Sequence, residues 1–190
     1  MKTLIVSAIE QEILSLSNVN IDTLITGIGI PNSIYSLTDH LNKNEYNLIV
    51  NIGICGSFKK DYRVGDVVEI VTDRFSEIGY ENNNDFQTFG DSFKIKTFFK
   101  SQKKTLLRSA SGITVNMVHG NEESIRLIIN NFNPDIESME GAACMMVAEK
   151  FNIPFVQIRA ISNYVEKRNK DNWNIDLAIK NLHSKLEKIL

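Results

Sequence analysis

Glu12, Glu140 and Asn163 each follow a short apolar run, where open α/β sheets collect their functional groups. A carboxylate at a dry site can serve as a general base, and its two acceptor oxygens can hold a pair of hydroxyls. An asparagine presents an NH₂ donor and a carbonyl acceptor on one planar group. Taken singly, each of the three reads first as a helix cap, a turn residue or a surface carboxylate. The glycine-bearing segments are weak on their own. Gly27-Ile28-Gly29 lacks the third glycine of a dinucleotide fingerprint, because Asn32 stands in its place, and no Walker lysine follows any glycine loop. Cys55 and Cys144 lie among apolar and small residues and read as buried thiols, with no second Cys or His at ligand spacing. His40, His119 and His183 also lack metal spacing, so surface or loop positions are expected for them.

The elements that must position these residues alternate between strand and helix signals, which predicts a layered α/β fold. Residues 4–9, 21–26 and 48–52 are short apolar runs read as buried strands, and a glycine-bearing turn is expected over 53–57. Pro31 suits the first turn of a helix running to about residue 43. Residues 67–72 and 113–118 read as further strands. The polar segment 77–104 between them is expected to be a long loop or a pair of edge strands. Asn121 is placed to cap a helix over 122–132, with two acids in its first turn and Asn133-Pro134 at its end. A strand over 136–139, a helix over 141–151 and a strand over 154–161 follow. In the last helix, about 172–190, Ile175, Ala178, Ile179, Leu182, Leu186 and Ile189 fall along one stripe.

A chain of 190 residues is long enough to bury a core without disulfides or metal, and residues 1–190 are expected to form one domain. Its apolar share, 43%, and charged share, 23%, are those of an ordinary globular protein. The net charge of −2 is spread over interspersed acids and bases, which leaves no footprint for nucleic acid or a membrane surface. The lysines at 100, 103 and 104 are interrupted by Ser101 and Gln102 and read as a solvated loop. The apolar stretch at the N-terminus is too short for a signal peptide, and no apolar run reaches about 18 residues, so a cytoplasmic enzyme is expected.

Four segments occur in a telling order. They are Asn51-Ile52-Gly53-Ile54-Cys55-Gly56, Val64-Gly65-Asp66-Val67-Val68, Glu137-Ser138-Met139-Glu140-Gly141-Ala142-Ala143, and Arg159-Ala160-Ile161-Ser162-Asn163. In that order the sequence resembles the nucleoside phosphorylase and nucleosidase superfamily, from the first strand to the last helix and most weakly in the middle. The Ser138-Met139-Glu140-Gly141 variant, with Ser162-Asn163-Tyr164-Val165-Glu166 and Trp173-Asn174, is similar to the futalosine hydrolases of menaquinone biosynthesis. The resemblance implies a three-layer α/β/α fold with a mixed central sheet. It also implies a homodimer or higher homo-oligomer, and hydrolysis of a purine nucleoside without cofactor or metal.

The resemblance also implies roles. Cleaving an N-glycosidic bond builds positive charge on the ribose and negative charge on the base, and both need stabilising. Glu140 matches the residue that grips the ribose hydroxyls, and Met139 the apolar group beneath the sugar. Glu12 matches the residue that activates water, with Glu10 as its competitor two positions away. Cys55 and Gly56 match the backbone strip along the base, and Arg159 an arginine near the water and sugar. Asn163 stands where purine enzymes of this family often carry Asp, and its amide suits a 6-oxopurine leaving group such as hypoxanthine. Ile54 replaces the hydroxyl residue usual in phosphorylases, and the 27–32 loop carries no arginine, so water is favoured over phosphate as nucleophile. Phe75, Phe86 and Phe89 are candidates for the wall on the 5′ side. Arg74, Lys167 and Arg168 are candidates to meet a carboxylate there. Adenine-releasing nucleosidases, inosine-type phosphorylases and a non-catalytic nucleoside-binding module are the alternatives.

Overall fold

The computed structural model describes residues 2–13, 21–82, 85–89 and 93–189. The first strand, β1 (Thr3–Ser7), is buried along its whole length, because helices cover the sheet on both faces. Leu4 and Val6 face one apolar cluster with helices α1 (Ile30–Leu41) and α3 (Gly141–Lys150). Ile5, between them, faces a second cluster with helix α4 (Ile175–Ile189). Alternate side chains of one strand thus feed two cores, as the pleat requires. The result is the α/β/α layering and mixed sheet of a nucleoside phosphorylase-like fold.

Strand β3 (Leu48–Ser57) organises the sheet because it has three neighbours. Its first half pairs in parallel with β1, which in turn pairs with β2 (Ile21–Ile25). Along residues 49–57 it pairs in parallel with β10 (Phe155–Tyr164), and at Gly56 and Ser57 it pairs antiparallel with β9 (Ile136–Ser138). From β10 the ladder continues to β4 (Val67–Arg74), then to β8 (Arg108–Thr114), and back to β9. Five strands therefore close on themselves while β1 and β2 extend outwards.

Several expectations are corrected here. The glycine-bearing turn expected over 53–57 is strand, because β9 and β10 supply backbone partners on both sides of it. The strand expected over 113–118 ends at Thr114, where its pairing with β9 ends, and the chain beyond returns towards β9. The polar middle forms a separate hairpin, β5 (Gly79–Asn82) with β6 (Asp85–Thr88), followed by β7 (Phe98–Lys100) on the edge of β4. In α4 the expected stripe is buried only at Ala178, Leu182 and Leu186; Ile175 and Ile189 are exposed. Helix α2 (Glu122–Phe132) begins and ends as expected, with Asn121 Oδ1 accepting from Glu123 N at 2.9 Å and Ser124 N at 3.3 Å. Replacing Asn121 with Ala should lower stability by about 1 kcal/mol, read as a shifted denaturation midpoint. No helix among the described residues is long and apolar enough to cross a membrane.

Candidate active site

A cavity of about 350 Å³ opens where β3 and β10 end and the segments after β1, β2, β8 and β9 converge. Glu12, Met139, Glu140 and Asn163 all line it, as do Cys55 and Gly56. Glu12 and Asn163 are 151 positions apart, so no single helix or strand could gather these residues; the three ladder partners of β3 do so.

Glu12 ends a short 3₁₀ turn, Glu10–Glu12, that directly follows β1. That turn points Glu12 inward, 5% exposed, and leaves Glu10 in solvent, which settles which of the two carboxylates belongs to the cavity. Its Oε1 accepts from Ile54 N at 3.0 Å and its Oε2 from Ala8 N at 3.3 Å. The carboxylate lies over Gly53, where a Cβ would stand only 3.0 Å from Oε1, so a side chain at 53 would displace it. Burial pushes its pKa above the usual glutamate range, and the Arg159 guanidinium and the two backbone donors pull part of the way back. The nearby Glu140 charge adds to the upward shift. A carboxylate with a raised pKa and unshared lone pairs is suited to take a proton from water.

Glu140 occupies the N-cap position of α3, yet its side chain does not cap that helix. Its Oε1 instead accepts from Gly29 N at 3.0 Å, so the glycine loop after β2 holds the carboxylate against the cavity. The first turn of α3 is anchored from below. Ala142 N donates to Thr114 Oγ1 at 2.7 Å, and that hydroxyl donates to the buried Asp73 Oδ1 at 3.0 Å. Gln157 Nε2 donates to the other Asp73 oxygen at 3.0 Å, and burial raises the Asp73 pKa to about 6.

Asn163 owes its direction to an irregularity. The β3–β10 register pairs Ile161 with Cys55 and then Asn163 with Gly56, so Ser162 is the extra residue of a bulge. Bulges re-aim the side chains beside them, and this one turns Asn163 onto the face of Gly56. The Ser162 hydroxyl lies 2.7 Å from Asn163 Oδ1 and 3.1 Å from the Cys55 carbonyl, and its single proton serves one at a time. Asn163 Nδ2 donates to the Tyr164 carbonyl at 3.0 Å. One N–H and lone-pair capacity on Oδ1 stay free for a ligand in the cavity.

Arg159 is placed differently from the substrate contact that the resemblance implies. It is 1% exposed and does not line the cavity. Its Nη2 donates to Asn51 Oδ1 at 2.5 Å and its Nη1 to the Ile158 carbonyl at 3.2 Å. The strand register sets it beside Gly53, so its charge acts on Glu12 from behind. Cys55 contributes backbone and bulk rather than a nucleophile, since burial pushes its thiol to about 12 and Cys144 likewise.

The aromatic candidates for the 5′ wall lie elsewhere. Phe75 packs on Phe99, Phe86 on Phe132, and Phe89 on Tyr80 and Phe93. Arg74 stacks over Phe98 and Phe132, away from the cavity, and Lys167 faces a different groove. Arg168 alone of the three proposed cations lines the cavity, 5.1 Å over the Trp173 ring, which also lines it. Reading the sequence missed Glu137, and it placed His119 on a loop, as found, without linking that loop to the cavity. His119 is on the cavity wall with its side chain 12% exposed, and its Nδ1 lies 2.6 Å from Glu137 Oε2. The pair is 18 residues apart with no motif spacing between them, so the only available signal was an acidic residue inside a short strand, next to Ile136.

Residues 13–190 match the phosphorylase superfamily, a span that includes Glu140 and Asn163 and begins one residue after Glu12. Among curated proteins, the 5′-methylthioadenosine/S-adenosylhomocysteine nucleosidase of Desulfotalea psychrophila is 27% identical over 165 residues, covering 80% of this chain and 70% of that protein. The nucleosidase of the same name from Listeria monocytogenes is 29% identical over 158 residues, covering 74% and 67%. Among solved structures, the nucleosidase of that name from Neisseria meningitidis, in complex with methylthio-immucillin-A, superposes with a TM-score of 0.81 at 18% identity, covering 100% of this chain and 98% of that one. Futalosine hydrolase of Helicobacter pylori superposes with a TM-score of 0.79 at 16% identity, covering 98% and 97%. The named relatives agree with the expectation of a nucleosidase, and by the extent of its family match the chain belongs to the phosphorylase superfamily.

Proposed function

We propose that this chain is an N-ribosyl hydrolase that releases a 6-oxopurine from a nucleoside, with futalosine as the substrate and hypoxanthine as the leaving base. The carrying observation is that Glu12, Glu140 and the bulge-directed Asn163 face one cavity. In this reading Glu12 takes a proton from the attacking water, and Glu140 holds the ribose hydroxyls. Asn163 supplies an N–H to O6 and its carbonyl oxygen to N7 as that nitrogen gains a proton. Arg168, stacked on Trp173 at the cavity wall, is suited to the carboxylate of the futalosine side group.

Water is favoured as the nucleophile by what the glycine loop does. The Gly29 N–H, the loop's donor towards the cavity, is spent on Glu140, and a phosphate beside it would meet that carboxylate's charge. Ile54 offers no hydroxyl in the cavity wall. A second reading, cleavage of methylthioadenosine or adenosylhomocysteine, is favoured by the names of the relatives.

The test is to incubate the protein with futalosine, inosine and methylthioadenosine, each with and without phosphate, and to identify base and sugar products by chromatography. Futalosine should lose hypoxanthine equally fast without phosphate and yield a sugar with a reducing end. A strict phosphate requirement with a sugar 1-phosphate product overturns hydrolysis. Release of adenine from methylthioadenosine with futalosine left intact transfers the assignment to the second reading.

A further inference from the structure

We propose that His119, oriented by Glu137, reads position N1 of the purine and accepts a hydrogen bond from the N1–H that a 6-oxopurine carries and adenine lacks. The proposal rests on the 6-oxopurine reading above and adds a second determinant of base choice to it.

Three observations converge. The first is strand register: Glu137 on β9 pairs with Gly56 on β3, and Gly56 pairs with Asn163 on β10. Residues directly opposite on neighbouring strands face the same side of a sheet, so Glu137, Gly56 and Asn163 form one row. A Cβ at Gly56 would lie 2.9 Å from Val165 Cγ2, 3.2 Å from Asn163 Nδ2 and 3.7 Å from Glu137 Cγ. The missing side chain therefore lets Val165, the Asn163 amide and the Glu137 side chain close on the backbone there, and Gly56, Glu137 and Asn163 all line the cavity. In a purine, O6 and N1 are adjacent on one edge, so a group reading N1 has to stand near the group reading O6.

The second is the tautomer. Glu137, 4% exposed, accepts from His119 N at 3.0 Å through Oε1 and meets His119 Nδ1 at 2.6 Å through Oε2. A carboxylate only accepts, so the ring proton of the neutral imidazole sits on Nδ1, and Nε2 carries a lone pair. The third is that Nε2 has no hydrogen-bond partner among the described residues, while the ring lines the cavity. An acceptor held there matches the N1–H of hypoxanthine and opposes the N1 lone pair of adenine. His119 is thus placed to touch the base, and Glu137 is the residue that positions it.

The experiment measures dissociation constants for hypoxanthine, 1-deazahypoxanthine (which has C–H in place of N1–H) and adenine. The proteins are the wild type, His119→Ala and Glu137→Gln, with thermal unfolding as the check on folding. The wild type should bind hypoxanthine about tenfold more tightly than its 1-deaza analogue, the cost of one unmade hydrogen bond. His119→Ala should erase that difference, whatever affinity for the 1-deaza base is lost with the ring's packing. Glu137→Gln gives a signature that a structural role would not. Its amide oxygen can still accept from His119 N while its NH₂ donates to Nδ1, which moves the ring proton to Nε2. The hypoxanthine-to-adenine affinity ratio should then fall below that of the wild type. An undiminished 1-deaza difference in His119→Ala, or an unchanged base ratio in Glu137→Gln, overturns this proposal alone. A wild type that binds adenine and not hypoxanthine overturns it together with the 6-oxopurine reading.

Discussion

Glu12→Gln is expected to reduce turnover by about 10²-fold or more, the usual loss when a general base is removed. Substrate affinity should change little, because Glu12 in this reading acts on water, while Glu140 holds the sugar. Single-turnover rates and binding constants on the same substrate separate the two. The glutamine oxygen can keep the 3.0 Å bond from Ile54 N and gives up the longer one from Ala8 N. Burial raises the Glu12 pKa, so ionising this carboxyl costs more in the fold than in the unfolded chain. Its contribution to stability is fully present below the unfolded pKa and is lost as pH rises through the raised folded pKa. A neutral glutamine avoids that loss, so the variant should unfold at least as high as the wild type at neutral pH. The same shift sets a pH signature. The acid limb of kcat/KM should lie above the ordinary glutamate pKa of about 4.3, and Glu12→Gln should flatten it. Wild-type turnover in the variant would remove Glu12 from the chemistry.

Asn163→Asp should lower the preference for a 6-oxopurine over the matching 6-aminopurine nucleoside by about one to two powers of ten, the 1–3 kcal/mol cost of an unmatched buried polar group. The aspartate removes the N–H offered to O6 and brings an acceptor towards an acceptor. When protonated, it can give N7 a proton while its other oxygen accepts from an exocyclic amino group. The change also removes the Nδ2 bond to the Tyr164 carbonyl, so total activity is expected to fall as well. For that reason the ratio is the quantity to measure, in competition between paired substrates that share one 5′ group. An unchanged ratio would place Asn163 outside base recognition and withdraw the main support for a 6-oxopurine substrate.

The sequence by itself determined the α/β alternation and three of the residues that share the cavity. Both follow from local physics. Short apolar runs bounded by glycine and polar residues form buried strands whatever the topology, and Glu12, Glu140 and Asn163 directly follow such runs. The start of α2 was legible for the same reason, since Asn121 and the N–H groups it caps lie within three residues. What only the tertiary structure decided depends on neighbours far along the chain. Residues 53–57 contain two glycines and read locally as a turn, but β9 and β10 make them strand, and the absent side chains let Glu12 and the Asn163 amide approach the backbone. A single 3₁₀ turn separates buried Glu12 from exposed Glu10, and alternation along a strand gives no such choice. Arg159 sits in a motif that suggested contact with substrate, yet its strand position turns it beneath Glu12, where it tunes a charge instead. Glu137 and His119 meet because the chain leaving β8 folds back onto β9. Hydrophobic periodicity records which face of an element is buried, not which distant polar group waits there.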